Sequence, residues 1–176
     1  FIDTCSIWCL AIDILELKNF NLQHGIIHIP MELPWSSPGF VNVYFIEDKD
    51  GYVMIDCGVN GIEYQELLEA KMKSFGLSYE NVKLLIGTHM HSDHIGLSST
   101  LRDKDIPFAL YKNSVDFIDS YNDWSIRFKK LKEFAKKEGA PKSFLDNLDQ
   151  IATPVYAGKI SKPDVLLEEG NIKNVN

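Results

Sequence analysis

The chain has 176 residues, of which 45% are hydrophobic and 24% charged, a composition typical of one globular domain with a sizeable core. Its formal net charge of −7 and pI near 5.2 argue against non-specific binding to nucleic acid or to anionic lipid. No window approaches the roughly 20 consecutive apolar residues of a membrane-spanning helix, so we expect no membrane partner.

The cysteines favour a reducing compartment. The chain has three, Cys5, Cys9 and Cys57, and none of them forms a Cys-x-x-Cys pair. An odd number without such a pair is more typical of free thiols in the cytoplasm than of a disulfide scaffold. Cys5 and Cys9 are four residues apart, a spacing that would place them on one face of a helix as small buried residues. We therefore expect a cytoplasmic protein.

The first extended segment is Gly25–Pro34. Pro30 and Pro34 cannot donate the backbone hydrogen bonds that a central strand needs, so the pattern predicts an edge strand, or a strand followed by a loop. His24 and His28 lie at the start of this segment. We interpret both as surface or packing residues.

A β-hairpin is predicted between residues 40 and 56. Phe40–Ile46 and Tyr52–Asp56 are rich in β-branched and aromatic residues, and the turn sequence Asp48–Gly51 separates them. The second strand ends in Asp56-Cys57-Gly58. A carboxylate at a strand end either caps the loop or, in a metal protein, accepts the hydrogen bonds that hold a ligand loop in place.

Helices and strands alternate in the next part of the chain. Apolar residues at near-helical spacing run from Ile62 to Phe75, and Gly76 stands where a helix commonly ends. The apolar run Leu84–Ile86 predicts a strand, Ile95–Leu101 a short helix and Ile106–Tyr111 a further strand. This order indicates a sheet with helices packed on its outside.

The most informative stretch is Thr88–Gly96, which directly follows an apolar run. It holds three of the five histidines and one aspartate as His-x-His-x-Asp-His. Imidazole and carboxylate are the donors that zinc and related metals prefer, and two ions could share this set. The alternative is a polar turn whose histidines face water. Four donors so closely spaced favour the metal site.

Beyond residue 112 the pattern becomes helical. The segment Trp124–Lys142 carries seven basic residues against two acidic ones. Such a run is either a solvated face or a flap that attracts an anionic substrate. Pro141 is expected to open a further helix, which would bury Phe144, Leu145, Leu148 and Ile151. Val165–Asn171 reads as a strand and turn.

These motifs together resemble the N-terminal half of a metallo-β-lactamase-fold hydrolase. The features occur in the family's order, and they are Val41-Asn42-Val43-Tyr44, Asp56-Cys57-Gly58, the Thr88–Gly96 motif and Glu169-Gly170. The matched span runs from Ile26 to Asn171, and Cys57 departs from the threonine that is usual in the family. The resemblance implies an α+β fold, the αββα sandwich. Residues 1–176 would form one incomplete domain, the first half of the sandwich plus a helical insertion at 113–160.

The resemblance also implies a site for up to two zinc ions, with iron or manganese as alternatives. His89 and His91 would bind the first ion, and Asp93 and His94 the second. Asp93 would orient the attacking water and pass a proton to the leaving group, while Asp56 would support the ligand loop. A related electron-transfer branch carries glutamate where this chain has His91, so the histidine favours hydrolase chemistry.

The implied function is metal-dependent hydrolysis of an ester, thioester, lactone or similar bond in a small-molecule substrate. The family completes its site with two further histidines and a bridging acidic residue, whereas the last histidine of this chain is His94. Two alternatives therefore stay open, a nuclease or phosphodiesterase of the same fold and a catalytically incomplete remnant that serves as an interaction module. Half a sandwich would expose an apolar sheet face, which favours a homo-oligomer or a strand-exchanged dimer.

Overall fold

The computed structural model describes residues 25–122, 124–151 and 159–170. These ranges contain the strands β1 (Ile26–Glu32), β2 (Phe40–Asp48), β3 (Gly51–Ile55), β4 (Val82–Ile86), β5 (Phe108–Tyr111) and β6 (Val165–Leu167). They also contain the helices α1 (Ile62–Ser74), α2 (Ser92–Ile95), α3 (Ser98–Arg102), α4 (Val115–Asn122), α5 (Trp124–Lys137) and α6 (Lys142–Ile151). The predictions for Cys5, Cys9, His24 and Asn171 concern residues outside the described ranges.

The six strands form one sheet whose spatial order follows the chain from β1 to β6. β1, β2 and β3 are antiparallel neighbours, whereas β3, β4, β5 and β6 are parallel. The predicted hairpin is confirmed, because β2 and β3 remain paired up to Asp48 and Gly51 across a two-residue turn. Strands and helices thus share one layered unit, and the predicted α+β class is confirmed.

Alternation along β1 and β2 decides which sheet face enters the core. Successive side chains of a strand point to opposite faces, and the buried set on these two strands is Ile27, Ile29, Met31, Val41, Val43 and Phe45. Leu68 and Met72 of α1 are buried in the same cluster. The helices therefore cover this face of the sheet.

The other face of β1 and β2 is accessible. It presents Ile26, Phe40 and Ile46 with exposed fractions of 37%, 55% and 40%. β1 has no neighbouring strand on its outer side among the described residues, so the prediction of an edge strand is confirmed. An edge position tolerates Pro30, which has no backbone N–H to donate.

The helix predicted at Ile95–Leu101 is wrong in its extent. The structure has two short helices here, α2 and α3, interrupted at Gly96 and Leu97. The backbone N–H of Gly96 donates to the carbonyl of Gly58 at 2.9 Å rather than extending α2. A tertiary hydrogen bond to the loop after β3 thus divides the helical run.

The helical segment after β5 is confirmed as three helices, α4, α5 and α6. The predicted burial of Phe144 is wrong, because this side chain is 49% exposed. Leu145 and Leu148 are half-buried, and Phe144 lies at the edge of their stripe, about 100° from Leu145 and about 40° from Leu148 around the helix axis. The side chain of Ile151 is not among those that the structure describes, and the insertion at 113–160 stays a prediction.

No helix among the described residues is long and apolar enough to cross a membrane.

Residues 159–170 are tied to the sheet through Asp164. Its Oδ2 accepts a hydrogen bond from the backbone N–H of Phe108 at 2.9 Å, and its Oδ1 pairs with Arg102 at 2.5 Å. The backbone N–H of Asp164 in turn donates to the Phe108 carbonyl at 2.7 Å. These bonds lead the chain into β6, which pairs with β5 as the predicted last strand.

Replacing Gly96 with alanine tests how closely α2 approaches the loop after β3. A Cβ at Gly96 would collide with backbone atoms of Gly58, Asn60 and Ser92. Because backbone cannot move aside as a flexible side chain can, we expect Gly96→Ala to lower the free energy of unfolding by about 2–3 kcal/mol. Urea unfolding followed by tryptophan fluorescence measures this loss.

Gly39→Ala is the matched control. A Cβ there would meet only the Ser36 carbonyl oxygen at 3.6 Å, an ordinary van der Waals contact. Its free energy of unfolding should therefore stay within about 1 kcal/mol of the unsubstituted protein. Equal stability of the two variants would contradict the close approach at Gly96.

Candidate metal centre

The candidate site lies where two parallel strands end side by side. Ile55, the last residue of β3, pairs with Ile86, the last residue of β4. The residues that follow, Asp56 on one strand and Gly87-Thr88 on the other, are therefore brought together at one sheet edge. The carboxyl ends of parallel strands are a common place for ligand sites, because the loops that follow them converge there.

Asp56 is the buried polar centre of this edge, with an exposed fraction of 3%. Its Oδ1 accepts a hydrogen bond from the Thr88 backbone N–H at 2.8 Å, and the Thr88 hydroxyl donates to the same carboxylate. Its Oδ2 accepts a hydrogen bond from His94 Nδ1 at 2.6 Å. Asp56 also has φ of +57°, a left-handed conformation that aspartate tolerates better than most residues.

The loop after β3 is further joined to α2 by backbone hydrogen bonds. The Cys57 N–H donates to the His94 carbonyl at 2.7 Å, close to the bond between Gly96 and Gly58. Cys57 is a free and fully buried thiol, and burial raises its pKa well above the usual range. It therefore stays protonated and serves as a packing residue at this junction.

The structure brings together the four predicted ligand residues His89, His91, Asp93 and His94. The ring centroids of His89 and His91 are 4.6 Å apart, and those of His89 and His94 are 4.1 Å apart. His89 Nε2 and His91 Nδ1 face each other at 2.8 Å. Asp93 Oδ2 lies 3.8 Å from His94 Nε2. One turn thus gathers imidazole nitrogens and a carboxylate on one side.

Hydrogen bonding fixes which ring nitrogen of His89 and of His94 carries the lone pair. His94 Nδ1 donates to Asp56, so its Nε2 lone pair points away from that bond. The Thr88 hydroxyl donates to Asp56 and lies 3.0 Å from His89 Nδ1, which can only donate to it. The Nε2 of His89 then carries the lone pair and accepts from His91. Asp56 therefore sets the tautomer of His94 directly and that of His89 through Thr88.

Burial and neighbouring charges shift the pKa values of His89 and His94 in opposite directions. Burial and the neighbouring His94 and His91 lower the pKa of His89, so its ring is neutral at neutral pH. Burial also lowers the pKa of His94. The hydrogen bond to Asp56 and the charge of Asp56 outweigh burial, so the pKa of His94 is raised. The two rings that Asp56 organises thus differ in their affinity for a proton.

The chemistry of these side chains fits a metal, and they form two pairs of donors, His89 with His91 and Asp93 with His94. His89 and His91 offer two facing nitrogens, and Asp93 and His94 offer an oxygen and a nitrogen, all donors that zinc accepts. Within the described residues, however, no group of three His, Cys, Asp or Glu side chains is arranged to hold an ion. The ligand roles of the four residues and the supporting role of Asp56 therefore stay predictions.

An open cleft of about 310 Å³ lies against this cluster. Asp56, Thr88, Asp93 and His94 form its polar side, and the remaining lining residues are Pro38, Phe40, Val41, Asn42 and Tyr44. The sequence motif located the polar side but gave no role to β2. The available signal was the alternation along β2, which places Phe40, Asn42 and Tyr44 on the face opposite to the core.

His28 has the packing role that we predicted, beside the cleft. Its ring stacks on Tyr44 with centroids 4.9 Å apart, and its Nε2 bonds Asn42 Oδ1 at 2.7 Å. The described lining residues of the cleft all lie between positions 38 and 94, so the described part of the basic segment Trp124–Lys142 contributes none of them.

A mixed sheet with a buried aspartate and a His-x-His-x-Asp-His turn at one edge defines the class, an α+β domain with a candidate metal centre. The model of the metallo-beta-lactamase superfamily matches residues 36–166, and the chain belongs to that superfamily. The resemblance drawn from the sequence motifs is confirmed.

Individual relatives agree with this assignment. The chain is 28% identical over 94 residues to a protein of Bacillus subtilis (strain 168) described as "Probable metallo-hydrolase YybB". The aligned residues make up 53% of this chain and 37% of the relative. A metallo-beta-lactamase family protein from Thermus thermophilus has a similar structure, with a TM-score of 0.63 and 20% identity over 84% of this chain and 47% of that protein.

The subclass B3 metallo-beta-lactamase BJP-1 of Bradyrhizobium japonicum has a TM-score of 0.54 and 17% identity, covering 84% of this chain and 44% of that enzyme. Identities this low establish the shared fold alone. The chain spans less than half the length of each of these three relatives.

Asp56→Asn tests whether the carboxylate organises the site. Asparagine tolerates the left-handed backbone, but its NH₂ group cannot accept the hydrogen bonds that both oxygens of Asp56 accept. If the cluster binds metal, we expect affinity for zinc to fall roughly 10- to 100-fold, as measured by competition with a chromogenic chelator. Asp103→Asn changes an exposed aspartate and should leave this affinity unchanged. Equal zinc affinity for Asp56→Asn and the unsubstituted protein would show that Asp56 has no such role.

Proposed function

We propose that the chain carries part of the catalytic centre of a metal-dependent hydrolase that acts on small molecules in the cytoplasm. The observation that supports this most directly is the gathering of four metal-type donors in one turn, of which His94 bonds the buried Asp56 carboxylate and Asp93 and His94 line an open cleft. Superfamily membership and the relative described as a metallo-hydrolase point in the same direction.

His89 Nε2 and His91 Nδ1 would hold one ion, which would take the place of the proton that His91 Nδ1 donates to His89 Nε2. Asp93 and His94 Nε2 would hold a second ion. Zinc is the first choice for imidazole and carboxylate donors, with iron and manganese as alternatives. A metal pair would supply an activated water and polarise the bond under attack. Asp56 and Thr88 would keep the nitrogen lone pairs of His89 and His94 directed at the metals.

Asp93 would act as the proton carrier. Its carboxylate lines the cleft beside His94, so it can orient a water molecule with one oxygen and accept a proton from it. The same proton would then pass to the departing alcohol, thiol or hydroxyl of an ester, thioester or lactone. The substrate would thus be cleaved by addition of water, with no net change in the charge of Asp93.

A catalytically incomplete interaction module is the second candidate. It is supported by the absence of a three-donor metal set among the described residues. A nuclease or phosphodiesterase is less favoured, since the described lining of the cleft includes no lysine or arginine to meet phosphate. Metal content separates the hydrolase from the interaction module.

The test uses the full-length protein, purified after metal-replete expression and assayed by elemental analysis. We expect about one to two equivalents of metal, and for His89→Ala and His91→Ala a large loss of bound metal because each removes a ligand. His28→Ala, a histidine outside the cluster, is the matched control and should retain its metal.

Hydrolysis is measured in parallel with p-nitrophenyl acetate, a thioester and a lactone. Chelation should abolish activity, and added zinc, iron or manganese should restore it. Less than about one tenth of an equivalent of metal in the unsubstituted protein would refute the hydrolase proposal and support the interaction module.

A further inference from the structure

Helix α5 presents a broad outer face to solvent. Among its described side chains Ala135 is buried, and Phe128 and Lys132 are half-buried. All the others are exposed, and they are Lys129, Lys130, Leu131, Glu133, Phe134, Lys136 and Lys137. At 100° per residue these positions span more than half of the helix circumference. Most of the surface of α5 is therefore open to a partner.

This outer face combines positive charge with apolar surface. α5 carries six basic residues and one acidic residue. Phe134 is 62% exposed, and Leu131 is exposed beside it. Lys130 and Lys137 lie four residues before and three residues after Phe134, a spacing that places them on the same side of the helix. A surface that fits this face needs carboxylates around an apolar side chain.

Helix α1 offers that combination on its own outer face. Its acidic residues are all exposed, and they are Glu63, Glu66 and Glu69. Ile62 is 66% exposed, and Glu66 lies one turn after it on the same side. The basic residues Lys71 and Lys73 lie in the last turn, at the other end of α1. Ile62 and Phe134 are the two most exposed large hydrophobic side chains of the described structure, and their neighbouring charges have opposite signs.

Charge complementarity favours a second copy of the chain as the occupant of these faces. The net charge of −7 makes two copies repel each other in general, so association needs a local contact of opposite charges. Packing α5 of one copy on α1 of another supplies that contact and removes two exposed apolar side chains from water. An anionic lipid surface would attract α5 but repel the acidic remainder of the chain.

We propose that the chain self-associates through α5 of one copy and α1 of a second copy. Phe134 and Ile62 lie at the centre of this contact, and Lys130 of one copy pairs with Glu66 of the other. The inference is independent of the proposed hydrolase function, and the exposed face of β1 and β2 takes no part in the contact. A single pair of helices buries less than the roughly 1,600 Å² of a standard interface, so the association is weak.

Sedimentation velocity of the full-length protein tests the contact at low salt. Protein concentrations from about 10 μM to 500 μM cover the range of a weak association. We expect a species larger than the monomer whose share rises with concentration. About 0.5 M sodium chloride should abolish it, because salt screens exposed ion pairs.

Exchange of charges across the contact is the sharper test. Lys130→Glu and Glu66→Lys each place like charges opposite one another, so each should weaken the association roughly three- to tenfold. The combined variant keeps the original net charge and again opposes unlike charges, so it should regain the association. Phe134→Ser removes the apolar centre and should weaken the association about tenfold or more.

Lys49→Glu is the matched control. It makes the same change in net charge as Lys130→Glu, at an exposed lysine in the turn between β2 and β3. This variant should associate as the unsubstituted protein does. Thermal unfolding of every variant confirms that it is folded.

Three results would overturn the inference. The first is a protein that stays monomeric at every concentration. The second is an association that neither high salt nor the two single charge variants weaken, as expected for a contact through the exposed face of β1 and β2. The third is a folded combined variant that fails to regain the association that Lys130→Glu and Glu66→Lys have lost.

Discussion

The buried carboxylate of Asp56 is the interaction on which the candidate site depends. A carboxylate that is only 3% exposed is costly to bury unless its oxygens are fully hydrogen-bonded. Thr88 and His94 supply those bonds, and bonds to a charged group contribute about 1.5–3 kcal/mol each. The hydrogen bonds that compensate for the burial of Asp56 also fix the loop after β4 and the rings of His89 and His94. Stability and site geometry therefore share the same bonds.

Close backbone approach makes this arrangement possible. The loop after β3 contacts α2 through the Gly96 to Gly58 and Cys57 to His94 hydrogen bonds. At Gly87 a Cβ would lie 2.6 Å from Ile95 Cγ2 and 2.9 Å from Leu110 Cδ1, so only glycine fits under α2 at the end of β4. The short helix that carries Asp93 and His94 is thus held directly against the two strand ends. Its four residues would have little helical stability alone.

The cleft combines two surfaces of different origin. The polar side comes from loops after parallel strands, and the apolar side comes from the overhang of an antiparallel strand. Small-molecule sites commonly combine an apolar lining with a few convergent polar groups in this way. The change from antiparallel to parallel pairing at β3 is what brings these two surfaces together.

The sequence by itself determined the local elements and the chemistry of the cluster. The β2–β3 hairpin, helix α1, the edge strand β1 and the His-x-His-x-Asp-His turn were all predictable, because each rests on periodicity, turn residues or spacing within a short window. The superfamily followed from the order of such motifs. For Asp56 the same reasoning left two interpretations open, and the tertiary structure shows that its carboxylate holds the loop after β4 through hydrogen bonds from Thr88 and His94.

Only the tertiary structure decided the features that depend on distant residues. The break at Gly96 arises from a bond to Gly58, and the pairing of His28 with Asn42 joins residues 14 positions apart through the β1–β2 register. The exposure of Phe144 depends on which stripe of α6 meets its neighbours. Strand register and helix packing are set by long-range contacts that no local pattern encodes. For that reason the donor residues could be named from the sequence, while the cleft they face could not.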